Sequence, residues 1–278
     1  MEHIFSSIKK KQATFSKAFK RVSTYVFNDP KIFAIHSAAQ AGRRMGVSET
    51  TVIRFSHALG YSGYKALQED VQFNLFQKSS LSDYAETKRS ENNHSIKAMM
   101  HNDMDNILKL TEQIADQDLE ETVTRIANAD RLLISGVRSS HALASWFSFA
   151  LDLVVGNTRF YQPNVDDVLL RISELTKRSV FVAFSFHRYA VETVHIAKLA
   201  QQQGAFVIAF TDSPFAPITE FSDLTLAVQL NVKSTLDAAP VVFSLMNSIV
   251  STISLRNSEA FQERVERFDS IEAQDFFP

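Results

Sequence analysis

Cysteine is absent from all 278 residues. That excludes a disulfide framework and any thiolate metal site, and it suits a reducing compartment. No apolar run of the roughly 18 residues needed to span a bilayer is present, and the opening MEHIFSSIKKK lacks the apolar core of a signal peptide. The expectation is a soluble cytoplasmic protein with no membrane partner. A G-x-S-x-G nucleophile elbow and a P-loop are missing as well. His94, His101, His141, His187 and His195 are scattered, without the i, i+4 spacing of a zinc helix. Neither a metal nor a cofactor is expected, no catalytic residue is assigned, and the chain reads as a non-enzyme.

What is present is an ordinary globular composition, 45% apolar and 22% charged, with 23 phenylalanines to fill a core. The length exceeds one average domain, so two are expected. The net charge of −2 hides an asymmetry. Residues 1–78 carry 12 of the 29 Lys/Arg and 5 of the 31 Asp/Glu, which leaves 17 basic and 26 acidic residues for the remainder. A small basic module joined to an acidic body is an arrangement suited to nucleic-acid binding.

Residues 1–78 read as helices: Ser16–Phe27, Ile32–Met45, Ser48–Leu59 and Tyr64–Phe76. The polar stretch over 79–95 reads as a linker. Helices follow at Ile96–Ala115 and Leu119–Asn128. Short strand-like runs then appear at Arg131–Gly136, Thr158–Gln162, Ser179–Ser185, Ala205–Thr211 and Leu224–Leu230, mostly separated by helical stretches. Strands alternating with helices imply a parallel sheet covered on both faces.

The stretch RMGVSETTVIRFSHALGYSGY, residues 44–64, has the register of a helix-turn-helix. Gly46 suits the turn, Gly42 the close helix crossing, and Ser48 the N-cap of the second helix. Ala41, Met45, Val47, Val52 and Phe55 are spaced to face a core. Arg43, Arg44, Ser48, Glu49, Thr50, Thr51, Arg54 and His57 are left outside, as a recognition helix needs for contact with the major groove of double-stranded DNA.

GVSETTVIRFSHALGYSGYKALQ closely resembles the helix-turn-helix of RpiR-type (MurR/RpiR) bacterial regulators. Ser48, Thr51, Val52, Arg54, Phe55, Leu59, Gly60, Gly63 and Tyr64 all match that pattern. The resemblance implies an all-α DNA-binding domain at 1–78, with Lys65 as a phosphate contact. It further implies an α/β domain at 96–278, a doubly wound five-stranded parallel sheet of the SIS (sugar isomerase) type. Such domains bind phosphosugars at the C-terminal ends of their strands, where loop N–H groups and helix N-termini hold anions.

Three loops take those places here. Ser139 and Ser140 match the family's first loop, where Arg138 replaces a glycine. Ser185 and Glu192 match the second, but His187 replaces a serine, Arg188 a glycine and Ala190 a threonine. The third loop runs Thr211-Asp212-Ser213-Pro214, with Ala216 in a serine's place. Lost hydroxyls and gained cations point to an anion held by charge, a sugar phosphate or a carboxylate. Ser139 and Ser140 also suit N-capping of a helix over Ser140–Val155. Lys233, Ser234 and Thr235 face the same rim, ahead of a helix with Asp237 as N-cap and Pro240 in its first turn.

The expected protein is a transcriptional regulator that binds an operator, senses a small anionic metabolite, and works as a homodimer or higher oligomer. The apolar stretch APVVFSLMNSIVSTISL and the helix around Ile96–Leu110 are the candidate contact surfaces. Two other readings stay open: a phosphosugar isomerase with a vestigial helical module, in which His187 and Glu192 would form an acid/base pair, and a structural DNA-binding protein whose α/β domain only dimerises.

Overall fold

Two hydrophobic patterns, one helical and one of buried strands, divide the chain into two units, Met1–Asp83 and Tyr84–Pro278. The computed structural model describes residues 2–76, 84–85, 88–89, 95–214, 216–230 and 235–271. Most of the stretch expected as a linker, with Lys233 and Ser234, lies outside the described residues.

The N-terminal unit contains α1 (Glu2–Lys11), α2 (Lys17–Asn28), α3 (Lys31–Ile35), α4 (Ala38–Met45), α5 (Glu49–Leu59) and α6 (Tyr64–Phe76). The first helix was not foreseen. Its signal is Ile4 and Ile8, one turn apart and both fully buried. α2 starts where the Ser16 Oγ accepts from the Phe19 N–H at 3.2 Å. The single helix expected over Ile32–Met45 is two. Ser37 breaks it by closing a capping box with Gln40, at 3.3 and 3.1 Å, so the chain turns a corner there. Buried Tyr64 fastens that corner to α6, its hydroxyl donating to the His36 carbonyl at 2.8 Å. Phe15, Phe19 and Phe55 meet edge to face, with centroids 5.5–5.6 Å apart, and join α2 to α5.

The C-terminal unit opens with α7 (Ile96–Gln113) and α8 (Asp116–Ala127). Then come β1 (Leu132–Ser135), α9 (His141–Val154), β2 (Thr158–Phe160), α10 (Val168–Ser173), β3 (Val180–Ser185), α11 (Val191–Gln203), β4 (Phe206–Thr211), β5 (Leu224–Ala227), α12 (Thr235–Arg256) and α13 (Ser258–Asp269). The five strands form one parallel sheet in the order β2-β1-β3-β4-β5. Leu132, Ile134, Val182, Phe184, Ile208 and Phe210 face a core completed by α8, α9 and α12. Leu133, Phe181, Ala183, Val207 and Ala209 face α10 and α11. Both faces are covered, which is why the strands read as continuous apolar runs rather than alternating ones.

α12 departs from expectation in two ways. It starts at Thr235, ahead of Asp237, which leaves Pro240 inside the helix beyond its first turn. Its Leu236–Arg256 stretch is also long and apolar enough to cross a membrane by length and composition, with a mean hydropathy of 1.6. Serines and an asparagine interrupt that stretch, so no unbroken run announces it. Val241, Val242, Met246, Ile249 and Ile253 nevertheless lie buried in the core of this unit.

Candidate functional site

In the N-terminal unit, α4 and α5 cross so tightly that a Cβ on Gly42 would lie 2.8 Å from the Val47 carbonyl oxygen. Gly46 ends α4 in the left-handed conformation, φ 65°. The Ser48 Oγ then accepts from the Thr51 N–H at 3.2 Å and lies 2.8 Å from the Thr51 hydroxyl, starting α5. This close turn holds α5 in place and leaves Arg43, Arg44, Ser48, Glu49, Thr50, Arg54, His57 and Lys65 exposed. Thr51 is half-buried and its hydroxyl is held by Ser48. The His57 ring turns back, with Nδ1 3.1 Å from the Tyr61 carbonyl. Val47, expected in the core, is only half-buried. Sequence reasoning missed Arg21, whose guanidinium carbon lies 3.3 Å from where a Gly46 Cβ would be. It comes from α2, and no local pattern ties it to the turn.

In the C-terminal unit, the chain leaves β1 toward β2 on one side and returns to β3 on the other, so the switch point falls between β1 and β3. A cleft of 180 Å³ lies there, lined by Arg138, Ser139 and Ser140 after β1 and by Ser185, His187, Arg188 and Ala190 after β3. Gly136 has no room for a side chain: a Cβ would lie 2.8 Å from the Ser140 carbonyl oxygen and 3.0 Å from the Phe184 Cβ. The first loop is thereby pressed against the sheet.

Arg138 and Arg188 both adopt positive φ, 55° and 65°. A non-glycine residue there is strained, at roughly 1–3 kcal/mol. Both side chains are exposed, and among the described residues neither has an ion-pair or hydrogen-bond partner. Behind the loops, the hydroxyls of Ser135, Ser185, Thr193 and Thr211 and one carboxylate oxygen of Asp212 are buried with no hydrogen-bond partner among the described residues. Ser135, Ser185 and Thr211 end β1, β3 and β4 on one sheet face, and Thr193 is in the first turn of α11. Each such atom costs about 1–3 kcal/mol while unsatisfied. Tyr189 donates to the other Asp212 oxygen at 2.8 Å and so ties the β3 and β4 loops together. Burial, then the Asp212 charge, pushes the Tyr189 phenol above its usual range.

A larger depression of 700 Å³ lies at the opposite edge, by the first residues of β3 and β4. Of its charged lining residues, Arg125 pairs with Glu121 at 3.1 Å and Glu120 with Arg256 at 2.7 Å, while Lys177 and Arg178 make no ion pair among the described residues. It lies at the N-terminal ends of the strands, away from the switch point where ligands of such sheets sit.

Comparison with known proteins gives two family matches. Residues 3–78 match the helix-turn-helix domain of the rpiR family, and residues 125–257 match the SIS domain. The chain belongs to the RpiR family of transcriptional regulators. An HTH-type transcriptional regulator of Haemophilus influenzae is 25% identical, over 77% of this chain and 75% of that protein. The HTH-type transcriptional regulator HexR of Pseudomonas aeruginosa is 22% identical, over 96% of this chain and 94% of its own. Among solved structures, the Vibrio vulnificus NanR protein, complexed with ManNAc-6P, shares the fold with a TM-score of 0.69 at 16% identity, covering 99% of this chain and 100% of that one.

In this RpiR-family regulator the cleft gathers six of the ten residues expected to hold a ligand: Arg138, Ser139, Ser140, Ser185, His187 and Arg188. Glu192 is not among its lining; it is exposed and accepts from the Tyr161 hydroxyl at 3.4 Å. Lys233 and Ser234 lie outside the described residues, and Thr235 opens α12. Ser140 makes no side-chain cap bond: a 3-10 turn over Arg138–Ser140 precedes α9, which starts at His141. The buried hydroxyls of Ser135, Thr193 and Thr211 and the Asp212 carboxylate were not among the expected ligand residues. Their sequence signal is a polar residue ending an otherwise apolar strand, or opening the helix beyond it.

Proposed function

We propose that this transcriptional regulator senses a small anionic metabolite, a sugar phosphate or a carboxylate, in the cleft between the loops after β1 and β3. Domains at 1–78 and 96–278, joined through 79–95, would divide DNA binding from sensing. One observation carries the reading. Two arginines without partners sit in strained left-handed positions on the two lips of the cleft, where the family resemblance has glycines. A guanidinium fork suits phosphate or carboxylate, and the uncapped first turn of α11 adds N–H groups to the same rim. That NanR, a protein of the same fold, was solved with a hexosamine phosphate supports a sugar phosphate first.

On the DNA side, Arg43, Arg44, Thr50, Arg54 and Lys65 are exposed and free of ion pairs among the described residues, while Ser48 and Thr51 shape the start of the helix they stand on. The effector would shift the population between two arrangements of a homodimer whose paired modules read two half-sites, in the cytoplasm where the operator is. Glu192 stands against Tyr161, outside the lining of the cleft, and this favours sensing over isomerisation, which would need that carboxylate at the site.

The test has two stages. A thermal-shift screen of sugar phosphates, sugar acids and small carboxylates finds the ligand, and operator affinity is then measured with and without it. A ligand that raises the melting temperature and changes operator affinity supports sensing. Turnover of a phosphosugar would instead support an isomerase.

A further inference from the structure

Helix α2 carries its charge against the grain of a helix. Between His3 and Asn28 the chain has six Lys/Arg and no Asp or Glu. Three of those cations, Lys17, Lys20 and Arg21, fall in the first half of α2, and Lys17 opens it. Positive charge at a helix N-terminus opposes the helix dipole. The spacing adds a second cost, because Lys17 neighbours Lys20 and Arg21 at i, i+3 and i, i+4, where like charges repel. All three are exposed, and none has an ion-pair or side-chain hydrogen-bond partner among the described residues. A cationic cluster so placed is suited to an anion from outside the chain.

Its place in the unit says which anion. The Arg21 guanidinium carbon lies 3.3 Å from where a Gly46 Cβ would be, so Arg21 stands against the turn that leads into α5. Arg43 and Arg44, both exposed, occupy the last turn of α4 just before that glycine. The edge-to-face contacts of Phe15 and Phe19 with Phe55 hold α2 against α5, so the cluster keeps its position relative to that helix. A helix in the major groove has a phosphate strand on either side, within reach of cations around its first turn. We infer that Lys17, Lys20 and Arg21 form a second DNA surface on α2, which grips the phosphate backbone beside the bases met by α5. The inference rests on the reading of α5 as the helix that enters the groove. Phosphates carry no sequence, so this surface sets affinity and orientation while α5 reads bases.

Because the contact ignores sequence, the probe is a fluorescent random-sequence duplex of about 30 base pairs, titrated with full-length protein over a range of salt concentrations. Each phosphate contact releases counterions and contributes about 0.9 to the slope of log affinity against log salt. Lys17→Gln, Lys20→Gln and Arg21→Gln should each lower that slope by about one and weaken binding roughly fivefold at about 0.15 M salt; the triple variant should lower the slope by about two to three. Arg21→Lys should keep the parent's slope. The melting temperature of the triple variant should match the parent's or exceed it slightly, because repulsion within α2 has been removed.

Three results would overturn the inference: a triple variant with the parent's slope; a triple variant whose melting temperature falls along with its slope, which would make the cluster structural; or an equal fall in slope for Lys109→Gln, which removes a charge from the other unit and should change nothing. Lys65→Ala, measured on the same duplex, keeps this surface distinct from the reading beneath it. A lower slope for Lys65→Ala beside silent α2 variants removes α2 from the DNA and leaves α5 in place, whereas silence in both counts against α5 as well.

Discussion

Arg188→Gly and Arg188→Ala, taken together, separate the backbone of the effector loop from its charge. Arg188 sits at φ 65°. An L-residue there gives up about 1–2 kcal/mol that glycine does not. Glycine, for its part, costs about 0.4–1 kcal/mol through the greater freedom of the unfolded chain. Alanine keeps the strain and glycine relieves it, so the glycine variant should be the more stable by about 0.5–1 kcal/mol. In a unit of this size that is a difference of roughly 1–4 °C in melting temperature. At an ordinary exposed position with negative φ the order would be reversed, so the sign alone is diagnostic.

The ligand response should follow the other variable. Both variants lose the guanidinium, and with it a charge-assisted hydrogen bond of about 1.5–3 kcal/mol, or roughly ten- to 150-fold in effector affinity. Arg188→Lys should recover only part of this, since an ammonium lacks the planar fork. The assays are urea unfolding of each variant without ligand, then operator titrations with and without the effector. An alanine variant as stable as the glycine variant would refute the left-handed loop. A glycine variant that still responds as the parent does would make Arg188 a bystander and move the site to Ser139, Ser140 and Ser185.

Gly42→Ala should cost about 1 kcal/mol in the N-terminal unit, because overpacking against the Val47 carbonyl (about 1–3 kcal/mol) outweighs the gain in helix propensity; unfolding of that unit and operator affinity would both register it, and an unchanged midpoint would contradict the close crossing. Arg54→Ala should cost ~1–3 kcal/mol of specific operator binding, and Thr51→Ala less, since its hydroxyl is already held by Ser48; anisotropy titrations in which Arg54→Ala matches the parent would displace the arginine from the interface. Lys65→Ala should weaken binding to all sequences alike and lower the salt slope by about one, measured as affinity against ionic strength. Asp166 is nearly buried; burial raises its carboxyl pKa, but the Gln162 N–H and the Arg159 and Arg171 guanidiniums more than reverse that, so the pKa is lowered. Its stabilisation is therefore fully present above the unfolded value of about 4 and is lost as the pH falls through the lower folded one; Asp166→Asn should remove about 1–3 kcal/mol near neutral pH and flatten the acid limb of stability against pH.

The parallel sheet was legible because strands covered on both faces leave a strong local mark: VFVAFS and FVIAFT contain no polar interruption before their last residue. The helix-turn-helix was legible because a tight crossing admits only glycine at position 42 and a left-handed turn favours it at 46. What local pattern did not carry was long-range or conformational. Arg21 reaches the turn from another helix, and Ser37 breaks a helix through a bond to Gln40 that competes with an otherwise continuous apolar pattern. The hydroxyls of Ser135, Ser185 and Thr211 are separate in sequence and come onto one buried sheet face only when β1, β3 and β4 pair, with Ser185 opposite Thr211 and Ser135 opposite Ala183 two residues earlier. The arginines at 138 and 188 could be read as a gain of charge, but their left-handed backbone could not, because arginine gives no sign of positive φ. That strain is the more informative property. A loop that holds an arginine in a conformation glycine would adopt freely keeps its shape against a cost, and that cost is the physical ground for proposing the cleft between two such loops as the sensing site.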